Sequence, residues 1–227
     1  MGKSFQISFN EYVWGRGTLF NRNRWLCYKD GIQLKKHLND MTKELFRKSI
    51  HMCAALVPLM LSFAYIPVLS LLALVLVFYC VAETLRYKGI NIPVISAITA
   101  AAARKRDENR FVLGPATLAS GVLFTAIIFE PVPAAVGILA LAFGDGLASL
   151  IGKFFGRIII PYTSGKTVAG SLACFIAIFC SSFLVLNNVY ISFIIALIGM
   201  VIEIIPLKDF DNLLIPIIIA SVCQFLL

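Results

Sequence analysis

The sequence predicts an all-α integral membrane protein, a bundle of about seven transmembrane helices with a cytoplasmic N-terminus, and three observations carry that expectation. Apolar residues make up 59% of the chain and charged ones 14%, with a mean hydropathy of +0.89, far from the balance of a water-soluble domain. Seven stretches come close to or reach the roughly 20 apolar residues, with about 17 as the minimum, that cover the hydrocarbon core. The 20 Lys and Arg residues fall only in segments that one alternating path through the bilayer leaves on the same side.

The chain divides at residue 44. Residues 1–44 are a basic cytoplasmic segment carrying Trp14, Phe20, Trp25 and Tyr28. Leu34, Leu38, Met41 and Leu45 share one helical face flanked by Lys35, Lys36 and Lys43, the pattern of an amphipathic helix drawn to anionic lipid headgroups. A solvated tail that acts only as a topology signal is the alternative. Residues 45–227 form the membrane domain.

The expected spans are Phe46–Ala64, Pro67–Arg86, Val112–Phe129, Pro133–Phe154, Val168–Asn187, Val189–Pro206 and Asn212–Leu227. The connections Tyr65–Ile66, Glu130–Val132 and Asn187–Asn188 are too short for anything but antiparallel hairpins. Ten basic residues lie between Lys3 and Lys48, six between Arg86 and Arg110, and then come Lys153, Arg157, Lys166 and Lys208. Glu130 is the only charge on the opposite side. The apolar run Ile90–Ala103 is 14 residues, short for a span, and counting it would reverse every later segment. It is expected as an interfacial helix between spans two and three, starting near Pro93.

The six cysteines show no metal-type CxxC spacing and are taken as small apolar residues. No internal repeat is visible, which weighs against a transporter built from two related halves.

Polar groups at membrane depth mark the chemistry, because burying them in hydrocarbon is costly. Span four reads GDGLASLIGKFFGR from Gly144 to Arg157. Gly144, Ala148, Gly152 and Gly156 recur every four residues and leave a smooth face where a helix or ligand can approach the backbone. Asp145, Ser149 and Lys153 form a second row at the same spacing. A close-packed helix with Asp145 paired to a Lys or Arg is the plainer alternative. The following loop, YTSGKTVAGS from Tyr162 to Ser171, alternates glycines and hydroxyl residues around Lys166. Such a loop can hold phosphates with backbone N–H groups and an ammonium, or can simply open a helix with a hydroxyl cap. It is not a Walker A loop, since Ile160 stands at the first glycine position.

Taken in order, Gly-Asp-x-x-Ala-x-x-x-Gly-x-x-x-Gly and Gly-Lys-Thr-x-x-Gly-Ser resemble the membrane CTP-dependent lipid kinases, the family of dolichol kinase, phytol kinase and CTP-dependent diacylglycerol kinase. Arg47-Lys48-x-x-His51, Glu83-x-x-Arg86, Glu203 and Asp211-Asn212-x-x-x-Pro216 agree with that pattern, and the resemblance covers about Glu44 to Pro216. Ala169 departs from the Glu of many members, which tilts the expected substrate toward diacylglycerol. The first half is shared with CDP-diacylglycerol synthases, whose C-terminal glycine- and histidine-rich signature is missing.

The resemblance implies transfer of the terminal phosphoryl group of CTP to the hydroxyl of diacylglycerol, a polyprenol or phytol. Asp145, Lys166 and His51 are the expected catalytic residues, with His51 either activating the hydroxyl or bonding within the bundle. Nucleotide binding falls to Lys153, Gly165, Lys166, Thr167, Gly170, Ser171, Arg110 and Arg86, although the arginines and Lys153 serve equally well as interface anchors. Mg²⁺, or another divalent cation, is expected on Asp145 with Asp211 or Glu203. Glu83, Asn212, Arg47 and Lys48 are further candidates. The expected partners are the lipid substrate, a nucleoside triphosphate and anionic headgroups, with no nucleic acid and a homodimer left open. A cytidylyltransferase making a CDP-lipid and a non-enzymatic transporter are the competing functions.

Overall fold

The computed structural model describes residues 41–90, 111–163, 165–207 and 209–227, and these are helical with short connections. Residues 1–40 of the basic N-terminal segment, the interfacial helix expected from Pro93, and Arg110 and Lys208 lie outside the described residues. Seven helices occur among the described residues: α1 (Met41–Phe63), α2 (Tyr65–Tyr87), α3 (Leu113–Ile128), α4 (Pro131–Phe155), α5 (Val168–Leu186), α6 (Val189–Ile204) and α7 (Asp211–Leu226). Each coincides with one expected span. Helices α1, α2, α4 and α5 are long and apolar enough to cross a membrane. The other three are 16 residues each, or ~24 Å at 1.5 Å per residue, short of the ~30 Å hydrocarbon core.

The helix ends follow from local chemistry. Pro131 occupies the first turn of α4, where its missing N–H costs nothing. Thr167 caps α5 by accepting from the Gly170 N–H, and Asn188 caps α6 by accepting from the N–H groups of Tyr190 and Ile191. Between those two helices Asn187 is left-handed at φ 51°, a conformation that Asn tolerates and that lets the chain reverse. Helix α1 is already helical at Met41, ahead of the expected Phe46.

Helix α4 is the centre of the bundle, packed by α1, α3, α5, α6 and α7, and 61% of its apolar window is buried, against 6% for α2. Val136, Ile138, Ala140, Leu141 and Ala142 are fully buried there. Helix α2 touches α1 and α3 and otherwise presents Leu71, Leu74, Val77, Phe78 and Val81 outward, the face a bilayer would cover. Two close backbone approaches seat α7. A Cβ on Gly121 of α3 would lie 2.3 Å from the Asn212 carbonyl oxygen, and one on Gly137 of α4 would lie 2.3 Å from that of Pro216. Pro216 has no N–H to give to the carbonyl four residues earlier, so the Asn212 oxygen is left facing Gly121.

Contacts between helix ends collect the charges at one end of the bundle. The start of α1 meets the end of α4 through Glu44 and Lys153, and Lys166 before α5 meets Glu203 near the end of α6. The end of α2 meets the chain just before α3 through Glu83 and Val112. At the other end Tyr65 donates to the Ala126 carbonyl.

Candidate active site

Asp145 sits at the last position of a π-helical segment, Ala140–Asp145, inside α4. Such a widened turn shifts the side chains after it relative to a regular helix, and it is common where a helix carries a functional group. The Asp145 carboxylate is buried and ion-paired with Lys48 of α1, which is 3% exposed, and His51 Nδ1 lies 3.4 Å from the same oxygen. The second pair is Lys166 with Glu203, Nζ to Oε1 at 2.5 Å, with the Ser171 hydroxyl donating to the other carboxylate oxygen at 3.2 Å. The two pairs are neighbours. Cys174 of α5, 1% exposed and one turn beyond Ser171, lines the same region, its Sγ 3.4 Å from where a Cβ on Gly144, next to Asp145, would sit. Loop and helix residues separated by more than a hundred positions thus meet in one buried charged cluster.

The row Asp145, Ser149 and Lys153 faces a row on α1, Glu44, Lys48 and His51, and the helices run antiparallel along it. Glu44 accepts from Ser149 Oγ at 2.7 Å and from Arg47 Nη2 at 2.5 Å, and its second oxygen is 3.7 Å from Lys153 Nζ. The spacing of four on α4 signalled its half of this arrangement. Glu44 carried no such signal, because its partners on α4 are more than a hundred residues away.

The glycine face of α4 receives a helix. A Cβ on Gly152 would lie 2.9 Å from Thr167 Oγ1, one on Gly156 2.4 Å from that atom, and one on Gly144 2.8 Å from Ile178. From the α5 side, a Cβ on Gly170 would lie 2.7 Å from the Ala148 carbonyl. Between α4 and α5 the chain forms a narrow hairpin, with Ile160 N–H donating to the Lys166 carbonyl and Val168 N–H to that of Ile158. Gly165 turns at φ +88° near its tip, a conformation that favours glycine. The amides of Lys166, Val168, Gly170 and Ser171 bond within this hairpin and the first turn of α5. The loop thus opens α5 with a hydroxyl cap at Thr167. Its amine, not its backbone, is what reaches the charged cluster.

The remaining candidates lie elsewhere. Glu83, fully buried, holds Arg86 through two hydrogen bonds of 2.7 and 2.8 Å and accepts from the Val112 N–H at 2.8 Å, fastening α2 to the start of α3. Asp211 accepts from the Asn212 N–H, while Asn212 Nδ2 donates to the Gly114 carbonyl and Thr117 Oγ1 at 3.3 Å. Asn212 thereby ties α7 to α3. Among the described residues no three of His, Cys, Asp and Glu form a ready-made metal cluster. Asp145 and Glu203 remain the two buried carboxylates of the cluster, and a Mg²⁺ ion asks for only one or two together with phosphate oxygens and water.

An uncharacterized protein of Methanocaldococcus jannaschii is 30% identical over 188 residues, covering 79% of this chain and 92% of its own length. Phytol kinase 1 of Arabidopsis thaliana chloroplasts is 32% identical over 91 residues, which cover 39% of this chain and 30% of the plant protein. A probable chloroplastic phytol kinase 2 of Oryza sativa is 30% identical over 96 residues, 41% of this chain and 32% of its own length. The chain thus spans about a third of these plant relatives. No family model matches the chain. No solved structure matches it either. Its similarity to several phytol kinases supports a lipid-kinase-like relationship, and at 30% identity over 92% of the archaeal protein the chain belongs to the same family as that Methanocaldococcus jannaschii protein.

Proposed function

We propose that the protein is a CTP-dependent lipid kinase, passing the terminal phosphoryl group of CTP to the hydroxyl of a membrane lipid alcohol at the cytoplasmic face. The observation that carries this is two ion pairs with buried carboxylates, Asp145 with Lys48 and Glu203 with Lys166, set at the polar end of an apolar bundle where α5 packs on the glycine face of α4. Phosphoryl transfer needs little covalent chemistry from a protein; it needs charge neutralisation and in-line positioning. In this proposal Lys166 and Lys153 neutralise the phosphates, while Thr167, Gly170 and Ser171 fix the hairpin from which Lys166 projects. Asp145 and Glu203 would hold a divalent cation, which when bound draws the phosphate oxygens together and offsets their charge. Forming that site requires each carboxylate to relinquish its lysine, and the freed amines are then available to the triphosphate. His51, one turn beyond Lys48 and beside Asp145, would either take the proton of the lipid hydroxyl or bond within the bundle.

The plant relatives support phytol within the set of acceptors expected from the sequence, beside diacylglycerol and polyprenols. The basic residues gathered at one end favour a cytoplasmic placement of the site, and they would also attract anionic headgroups.

The test is purified protein in detergent with CTP labelled in either the terminal or the innermost phosphate, and with diacylglycerol, polyprenol and phytol as acceptors. Terminal label on the lipid is the expected result. Innermost label on the lipid would make the protein a cytidylyltransferase, and transfer of neither would leave the transporter.

A further inference from the structure

We infer that Glu44 is a positioning residue for nucleotide binding, holding Lys153 and Arg47 at the open side of the charged cluster and fixing the register of α1 against α4. This rests on the lipid-kinase proposal above and names a residue that the motif pattern does not assign a role. Glu44 is one turn from Lys48 and accepts from Arg47 and Ser149, with Lys153 beside its second oxygen. It therefore contacts α4 at Ser149 and Lys153, one and two turns beyond Asp145, the partner of Lys48. Two helices pinned at three successive levels cannot slide past one another without breaking all three contacts. The side chains of Glu44 and Arg47 are 16% and 15% exposed and that of Lys153 is 36% exposed, so the cations lead outward from the buried pairs toward the surface from which a nucleotide arrives.

The sign of one substitution separates positioning from simple charge. Glu44→Gln adds one positive charge to a chain that already carries +8, so a purely electrostatic role makes an anionic nucleotide bind more tightly. Positioning makes it bind more weakly. The experiment measures equilibrium binding of a non-hydrolysable CTP analogue with Mg²⁺, together with KM for CTP, KM for lipid and kcat. For Glu44→Gln the nucleotide Kd and KM should rise about 10-fold, the loss of one charge-assisted contact, with the lipid KM unchanged. Lys153→Gln should do the same, and the double variant should be no worse than either single one, because the two act through one contact. Ser149→Ala, which removes only the hydrogen bond, should raise the nucleotide KM to a smaller extent and serves if Glu44→Gln does not fold. Unchanged or tighter nucleotide binding in Glu44→Gln, or in Ser149→Ala should that variant stand in, overturns the inference while the kinase proposal stands. A wild-type protein that neither binds nor turns over a nucleotide overturns both.

Discussion

Lys48 of α1 and Asp145 of α4 form an ion pair buried in the bundle, 97 residues apart in sequence, with His51 Nδ1 3.4 Å from the same carboxylate oxygen. A charge pair at this depth holds two helices together only while both members are present, since either one alone is left buried and uncompensated.

Lys48→Met should accordingly destabilise the protein by about 3–5 kcal/mol, and Asp145→Asn should also destabilise it. The Lys48→Met/Asp145→Asn double variant should be more stable than Lys48→Met alone, because no lone charge remains. Thermal unfolding in detergent with a double-mutant cycle measures this, and strictly additive losses would show that the two groups do not interact.

Lys166→Ala should lower phosphoryl transfer at least about 100-fold, the usual scale for removing one group that stabilises transition-state charge. Glu203→Gln should lower it as well. Labelled-CTP assays report the rate, and activity near that of the wild type in Lys166→Ala would remove the amine from the proposed chemistry.

Arg86→Gln is expected to behave differently, because Arg86 is bound to the fully buried Glu83 at the α2–α3 junction. Stability should fall by about 3–5 kcal/mol, since the Glu83 charge loses its partner. The nucleotide KM of the remaining folded protein should not change, and a selective rise would place Arg86 on the nucleotide.

Gly170→Ala should cost about 1–3 kcal/mol, since the new Cβ would lie 2.7 Å from the Ala148 carbonyl oxygen. Gly114→Ala is the control, because nothing lies within 4 Å of a Cβ there and alanine favours the helix. Melting curves of the two variants should move in opposite directions or, for Gly114→Ala, not at all.

Thr167→Ala should lose about 0.5–2 kcal/mol by removing the cap of α5, while Thr167→Ser should retain most of the stability. Equal losses in the two would show that packing against Gly152 and Gly156, and not the hydrogen bond, is what Thr167 supplies.

The sequence by itself determined the helices. Runs of apolar residues, prolines at helix starts and Asn or Thr at caps act through neighbours a few positions away, so all seven expected spans recur as helices, with nearly the same ends apart from the earlier start of α1 at Met41. It also marked Asp145, Ser149 and Lys153 as one row, and Gly144, Gly152 and Gly156 as another, because helical spacing alone fixes which side chains share a face.

Only the tertiary structure decided what each row meets. The glycine row meets α5, and the polar row meets Glu44, Lys48 and His51 on α1. It also chose the partners of the motif residues, pairing Lys48 with Asp145, Lys166 with Glu203, Arg86 with Glu83, and Asn212 with Thr117. Spacing along the chain is blind to that choice, since a buried carboxylate finds its cation wherever packing brings one close, and the cost of leaving it alone in an apolar bundle is what enforces the match.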